Sequence, residues 1–177
     1  MYEWNPMYNI VMKIKKDYVS KFGNDTLNFE TWISKLKDIE YDSIFECLQT
    51  NQYNEFLLIR YGLQEMQESM WINPKSIYRE CRSVVIDLEK EELVLAPFRK
   101  FFNLNEVQEN DIEIVSKEIE KAKVVEFTNK LDGSMQSARY YNDDYFMTGS
   151  MAIDKSDSWR LEDGYNMLID NYKKNAL

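Results

Sequence analysis

Residues 82–88, Arg82-Ser83-Val84-Val85-Ile86-Asp87-Leu88, form a short run rich in β-branched side chains. Four charged residues follow, Glu89-Lys90-Glu91-Glu92, and then the apolar Leu93-Val94-Leu95-Ala96. β-Branched side chains fit a pleated strand, and a charged cluster between two such runs marks a turn. This stretch therefore predicts an antiparallel hairpin in the middle of the chain. A second hairpin is predicted from residues 135–141 and 145–148, turning at Asn142-Asp143-Asp144. Residues 55–61 read as a further strand closed by Gly62, and residues 123–128, with Val124, Val125 and Phe127, as a strand leading into Lys130.

Before the first hairpin the period changes. Tyr8, Val11, Met12, Ile14 and Tyr18 recur at helical spacing, and Gly23-Asn24-Asp25 interrupts them. A second helix is expected from near Asn28 with Trp32, Ile33 and Leu36 on its apolar face, and a third over residues 41–48. Residues 65–77 read as an irregular connection, and residues 112–122 carry no decisive pattern. Leu161, Tyr165, Leu168 and Tyr172 predict a closing helix, with Gly164 as its weak point. The fold class is α+β: an N-terminal helical region, then mostly antiparallel hairpins. The organisation expected is a helical or accessory region over residues 1–77 and a second region over 78–177.

Composition removes several function classes. The chain has 177 residues, enough for one domain with a sizeable core, or one domain and a small appendage. It has no histidine, which excludes Ser-His-Asp and Cys-His catalysis and histidine-ligated metals. Two cysteines, Cys47 and Cys81, build neither a disulfide framework nor a tetrahedral zinc site. Apolar runs such as Phe56-Leu57-Leu58-Ile59 are too short to span a bilayer, and Lys13, Lys15, Lys16 and Asp17 arrive too early for a secretion signal. A cytoplasmic protein without a membrane partner is expected. The net charge of -9 argues against a surface that binds nucleic acid everywhere. It leaves room for a local basic cleft drawn from Arg79, Arg82, Arg99, Lys100 and Lys130.

Lys130-Leu131-Asp132-Gly133-Ser134 carries the chemistry. An ε-amino group attacks phosphorus only when neutral, which at pH 7 costs about 4.6 kcal/mol from an unperturbed pKa. Nearby cations and partial burial favour the neutral form. Arg82 and Lys100 are the expected cationic neighbours if the first hairpin folds over the site. Gly133 permits a sharp turn or a close approach to a ligand, and Asp132 accepts hydrogen bonds that hold the loop. Alone, the same residues read as a tight turn between strands with a solvated lysine and aspartate. Phe101 and Phe102 alone read as core.

Three segments in order decide between these. Tyr78-Arg79-Glu80-Cys81-Arg82-Ser83-Val84-Val85, Pro97-Phe98-Arg99-Lys100-Phe101-Phe102-Asn103-Leu104-Asn105-Glu106 and Lys130-Leu131-Asp132-Gly133-Ser134 closely resemble the bacteriophage tRNA-repair RNA ligase family. The likeness covers about residues 78–150, and the Lys100 to Asn103 stretch is its more family-specific part. The resemblance implies a covalent-nucleotidyltransferase, ligase-like domain over residues 78–177. It implies that Lys130 takes AMP from ATP, with Mg2+ or Mn2+, as a lysyl-AMP. The AMP would pass to an RNA 5′-phosphate and leave when a 3′-hydroxyl attacks; a cleaved tRNA is one such RNA that the resemblance offers. By the same resemblance Arg82 and Lys100 clamp the ATP phosphates and Phe102 lines the nucleotide pocket. Gly133 and Ser134 shape the loop after the nucleophile, and the backbone of Asn129 reads the adenine edge.

The sequence departs from the family twice. Thr148 precedes Gly149-Ser150 where relatives often carry a basic residue. The glutamates and the closing Lys-x-Lys strand that the family uses downstream have no match. The chain is therefore expected to be the N-terminal part of a ligase, completed by a C-terminal segment or a second polypeptide. The alternative is a non-catalytic nucleotide- or RNA-binding remnant of the same fold.

Overall fold

The computed structural model describes residues 5–62, 69–155 and 157–175. Three helices open the chain: α1 (Pro6–Phe22), α2 (Phe29–Leu36) and α3 (Ile39–Phe45). Each starts on a residue whose side chain accepts from a free amide of the first turn, namely Asn5, Asn28 and Asp38. On α1, Met7, Val11, Ile14 and Tyr18 share one stripe and are fully buried. Phe29, Trp32 and Leu36 do the same on α2.

The expected third helix stops at Phe45, and residues Leu48–Tyr53 form an unexpected strand, β1. Its sequence, Leu-Gln-Thr-Asn-Gln-Tyr, has little strand propensity of its own. It is a strand because β2 (Phe56–Tyr61) offers it a ladder, in register from Leu48 opposite Tyr61 to Tyr53 opposite Phe56. Gln52 also ties it to the start of α2, accepting from the Phe29 amide at 2.8 Å and donating to the Leu27 carbonyl at 2.8 Å.

Residues 65–68 of the expected irregular connection lie outside the described residues. Its later part contains the one-turn helix α4 (Ser69–Ile72) and a 3₁₀ turn, Ile77–Glu80. The predicted hairpin follows as β3 (Arg82–Asp87) and β4 (Glu92–Leu95). The four strands form one antiparallel sheet in the order β1-β2-β3-β4, which joins residues on both sides of residue 77.

Strand residues alternate between two cores. Leu57, Ile59, Val84, Ile86 and Leu93 pack against the helices. Leu58, Val85, Val94 and Leu95 pack on the other face, with Ile153, Phe56, Tyr141 and Phe146. Apolar cover on both faces explains why β2 and β3 read as continuous apolar runs rather than as alternation. Lys15 of α1 reaches the end of β3, donating to the Leu88 carbonyl at 2.6 Å and pairing with Glu91 at 2.8 Å.

The second face is covered by the second predicted hairpin, β5 (Ser137–Tyr141) and β6 (Asp144–Thr148). Its two-residue turn, Asn142-Asp143, has both φ angles positive (52° and 63°), the geometry that matches strand twist in a tight hairpin. Arg139 donates to the Leu93 and Val94 carbonyls at 2.8 and 3.0 Å. The Tyr141 hydroxyl donates to Asp87 at 2.8 Å.

Residues 112–122, undecided from sequence, contain α5 (Ile112–Lys121), started by an Asp111 side chain that accepts from the Glu113 amide. The expected strand over residues 123–128 does not form. A strand exists only where a neighbour completes its ladder, and no described segment pairs with this one. Val124 is 73 % exposed and Phe127 90 % exposed, so local propensity alone did not fold it. The closing helix α6 (Trp159–Asn175) is present, with Leu161 buried. At Gly164 an added Cβ would collide with the side-chain amide of Gln136, so glycine there lets the loop before β5 approach the helix. Among the described residues no helix is long and apolar enough to cross a membrane.

Candidate active site

Arg82 opens β3 and Arg60 lies opposite it on β2, where the register slips between Ile59 and Arg60. Ser83 follows with φ 67°, an uncommon backbone state for a residue with a Cβ. Such irregularities re-aim side chains at the ends of ladders. Both arginines line a cavity of about 430 Å³. Its other walls are the Gly133-Ser134 loop, the Gly149-Ser150 turn after β6, and Arg160 in the first turn of α6.

The loop is held from two directions. The Asp132 carboxylate accepts from the Gly133 amide at 3.0 Å, and Gly133 takes φ 147°, a positive value open to a residue without a Cβ. Gln136 then donates to the Arg160 carbonyl at 2.5 Å, fastening the end of the loop to α6. On the opposite wall the Ser83 hydroxyl donates to the Ser150 carbonyl at 2.8 Å, and the Gly149 amide to the Ala152 carbonyl at 3.0 Å.

Of the residues singled out in the sequence, Arg82, Gly133 and Ser134 meet at this cavity. Lys100 and Phe102 adjoin it. The Lys100 ammonium sits 4.7 Å from the Phe102 ring centre and 5.7 Å from that of Tyr61, itself a cavity residue. Lys100 is positioned by its backbone amide, which donates to the Arg79 carbonyl at 2.7 Å. Phe102 also carries the Arg79 guanidinium, at 4.7 Å, so two cations share one ring. The Arg82 guanidinium lies 4.5 Å from the Phe101 ring centre. Asn129, Lys130 and Asp132 stand in the exposed loop, outside the cavity lining.

Two of the expected cleft cations serve the fold instead. Arg79 is 1 % exposed and pairs with Glu109, as a buried guanidinium must pair to be tolerated. Arg99 pairs with Glu80 at 2.6 Å. In the same segment Asn103 donates through its backbone and side chain to Glu106, at 2.6 and 3.0 Å, and the Asn105 side chain accepts from the Ile112 amide at 2.9 Å. These residues shape the loop that carries Lys100 and Phe102. Arg60, Gln136 and Arg160 were not legible as site residues. Arg60 is visible only once the strand register is known, and Arg160 only once α6 is docked.

A family model described as RNA ligase, that of the T4 RNA ligase 1 family, matches residues 80–174. The match covers more than half of the 177-residue chain. The chain belongs to the RNA ligase family. This RNA ligase family member gave no match among curated proteins and none among solved structures. The matched residues contain Arg82, Lys100, Phe102 and Lys130 through Ser134, together with every wall of the cavity except Arg60 and Tyr61.

Proposed function

We propose that this chain performs the nucleotidyl-transfer chemistry of an ATP-dependent RNA ligase, with Lys130 as nucleophile. The Lys130 amine attacks the α-phosphorus of ATP; a P–N bond forms and the bond to pyrophosphate breaks. The AMP then passes to an RNA 5′-phosphate, and attack by a 3′-hydroxyl seals the strand and releases AMP. The observation that carries the reading is the family match across Lys130-Leu131-Asp132-Gly133-Ser134, two residues of which line a cavity with cationic walls. Arg82 and Lys100 are the proposed phosphate contacts, where guanidinium forks and ammonium point charges suit anionic oxygens. Phe102 is the proposed wall of the nucleotide pocket and Asn129 the proposed adenine contact.

The divalent ion that the family implies has no built cage here. Among the described residues no three acidic or cysteine side chains converge to hold it.

A second reading, nucleotide or RNA binding without catalysis, draws on one observation: Lys130 stands exposed in an irregular loop. One experiment separates the two. Incubation with α-labelled ATP and magnesium, then denaturing electrophoresis, should give a labelled chain whose bond is acid-labile and alkali-stable. Lys130→Ala should remove the label entirely. Label that persists on that variant refutes the assignment of the nucleophile, and no label on the wild-type chain favours the binding reading.

A further inference from the structure

Arg60 and Arg82 oppose each other directly across an antiparallel pair. Like charges in that position repel, and a neighbouring carboxylate is the usual remedy. None is present: among the described residues, neither arginine forms an ion pair, and nor does Arg160. Carboxylates are not scarce in a chain with 31 acidic residues against 22 basic ones. The other arginines all have internal acceptors: Arg79 has Glu109, Arg99 has Glu80, and Arg139 has two backbone carbonyls. Among the described residues Arg60 and Arg160 have none, and Arg82 has only the weak thioether acceptor of Met135, at 3.8 Å; all three line the same cavity.

A guanidinium stays charged at any pH at which the protein is folded, so this convergence cannot be relieved by losing protons. It is relieved by an anion. Three permanently charged residues in the lining of a cavity of about 430 Å³ match a compact, multiply charged anion. An RNA backbone spaces its charges along an open groove, whereas these walls come from five separate parts of the chain: β2, the start of β3, the two glycine-containing loops and α6.

We propose that Arg60 and Arg160 join Arg82 in a polyphosphate-binding site that takes the triphosphate tail of a nucleotide. The identity of the nucleotide rests on the ligase reading; the polyphosphate site itself does not. Arg60 and Arg160 are positioning residues: they hold the tail so that the α-phosphate projects toward the loop that carries Lys130.

The test is calorimetric titration of the full chain with inorganic tripolyphosphate, without added metal and at low ionic strength, because salt screens exposed charges. One site is expected. Arg60→Gln and Arg160→Gln should each weaken binding about tenfold, the effect of losing one charge-assisted contact at a partly exposed site. Arg99→Gln, which removes a cation paired elsewhere, should leave it unchanged. Circular dichroism checks folding; should Arg60→Gln not fold, Arg160→Gln decides, since Arg160 is exposed at a helix start. Wild-type affinity in the arginine variants overturns the proposal. So does displacement of tripolyphosphate, with the same arginine dependence, by single-stranded RNA lacking a terminal phosphate; that result assigns the site to RNA backbone. Adenylation of Lys130 with arginine-independent tripolyphosphate binding sinks this inference alone. Arginine-dependent binding without adenylation sinks the ligase reading alone.

Discussion

Asp87 is the joint between the four-stranded sheet and the hairpin that carries one wall of the cavity. It is 1 % exposed and its carboxylate accepts three hydrogen bonds. Two come from the Glu89 and Lys90 amides of its own turn, at 2.9 and 2.8 Å, and one from the Tyr141 hydroxyl, at 2.8 Å. Burial, and then this carboxylate, raise the Tyr141 phenol above its ordinary pKa, so it remains a donor throughout the physiological range. A hydrogen bond to a charged group contributes about 1.5–3 kcal/mol. Tyr141 is only half-buried, so water offsets part of this, and Tyr141→Phe should cost about 1.5 kcal/mol. Asp87→Ala also strands two turn amides; these lie near solvent, and the total should be about 3 kcal/mol. Because the two side chains share one bond, the double variant should be less destabilised than the sum of the singles by about 1.5 kcal/mol. Urea unfolding of the four proteins measures this. Full additivity, with a coupling under about 0.5 kcal/mol, would refute the claim that this bond fastens the hairpin to the sheet.

Thr148 is buried and its hydroxyl has no hydrogen-bond partner among the described residues. Thr148→Val removes an unsatisfied polar atom without changing shape, and should stabilise the fold by about 1 kcal/mol in thermal unfolding; a loss of that size would show that the hydroxyl has a partner. Asp144 gives a pH signature. Its carboxyl lies below the ordinary aspartate range, first because the Tyr165 hydroxyl donates to it at 2.8 Å, then through the Tyr145 amide and Lys155. A lowered carboxyl contributes stability above its unfolded pKa of about 3.9 and loses it as the pH falls through the folded value. The stability gap between the wild-type chain and Asp144→Asn should therefore be constant near neutrality and close below about pH 4. Unfolding curves taken across that range test it, and a gap that persists in acid contradicts it.

The elements legible in the sequence share one property: their signals are local and their partners are close in the chain. The α1 stripe of Met7, Val11, Ile14 and Tyr18 needs only its own period. The β3–β4 and β5–β6 hairpins need only their turns. Strand β1 was hidden because Gln49, Asn51 and Gln52 dilute the strand propensity of Thr50, and its order comes from β2 and from the side-chain bonds of Gln52 to Leu27 and to the first amide of α2. The reverse holds at residues 123–128, where Val124, Val125 and Phe127 have the propensity but no described neighbour supplies a ladder.

The site divides along the same line. Lys130, Arg82, Lys100 and Phe102 stand out because their segments carry recognisable neighbours in the chain. Arg60 and Arg160 do not, since what sets them apart is the absence of an acceptor in three dimensions among the described residues, and sequence does not record who fails to pair with whom. That difference bears on how the cavity is held together. Arg82 rests on Phe101 at 4.5 Å and Arg160 lies over Trp159 at 4.8 Å, so each guanidinium is propped by an adjacent ring rather than by a carboxylate. An aromatic prop orients a cation without neutralising it. A carboxylate would do both, and would hold the charge back from any phosphate that arrived. The arrangement keeps three charges positioned and unspent in a chain whose overall charge is -9, which is what attraction of an anion to one cavity, and to nowhere else on an acidic surface, requires.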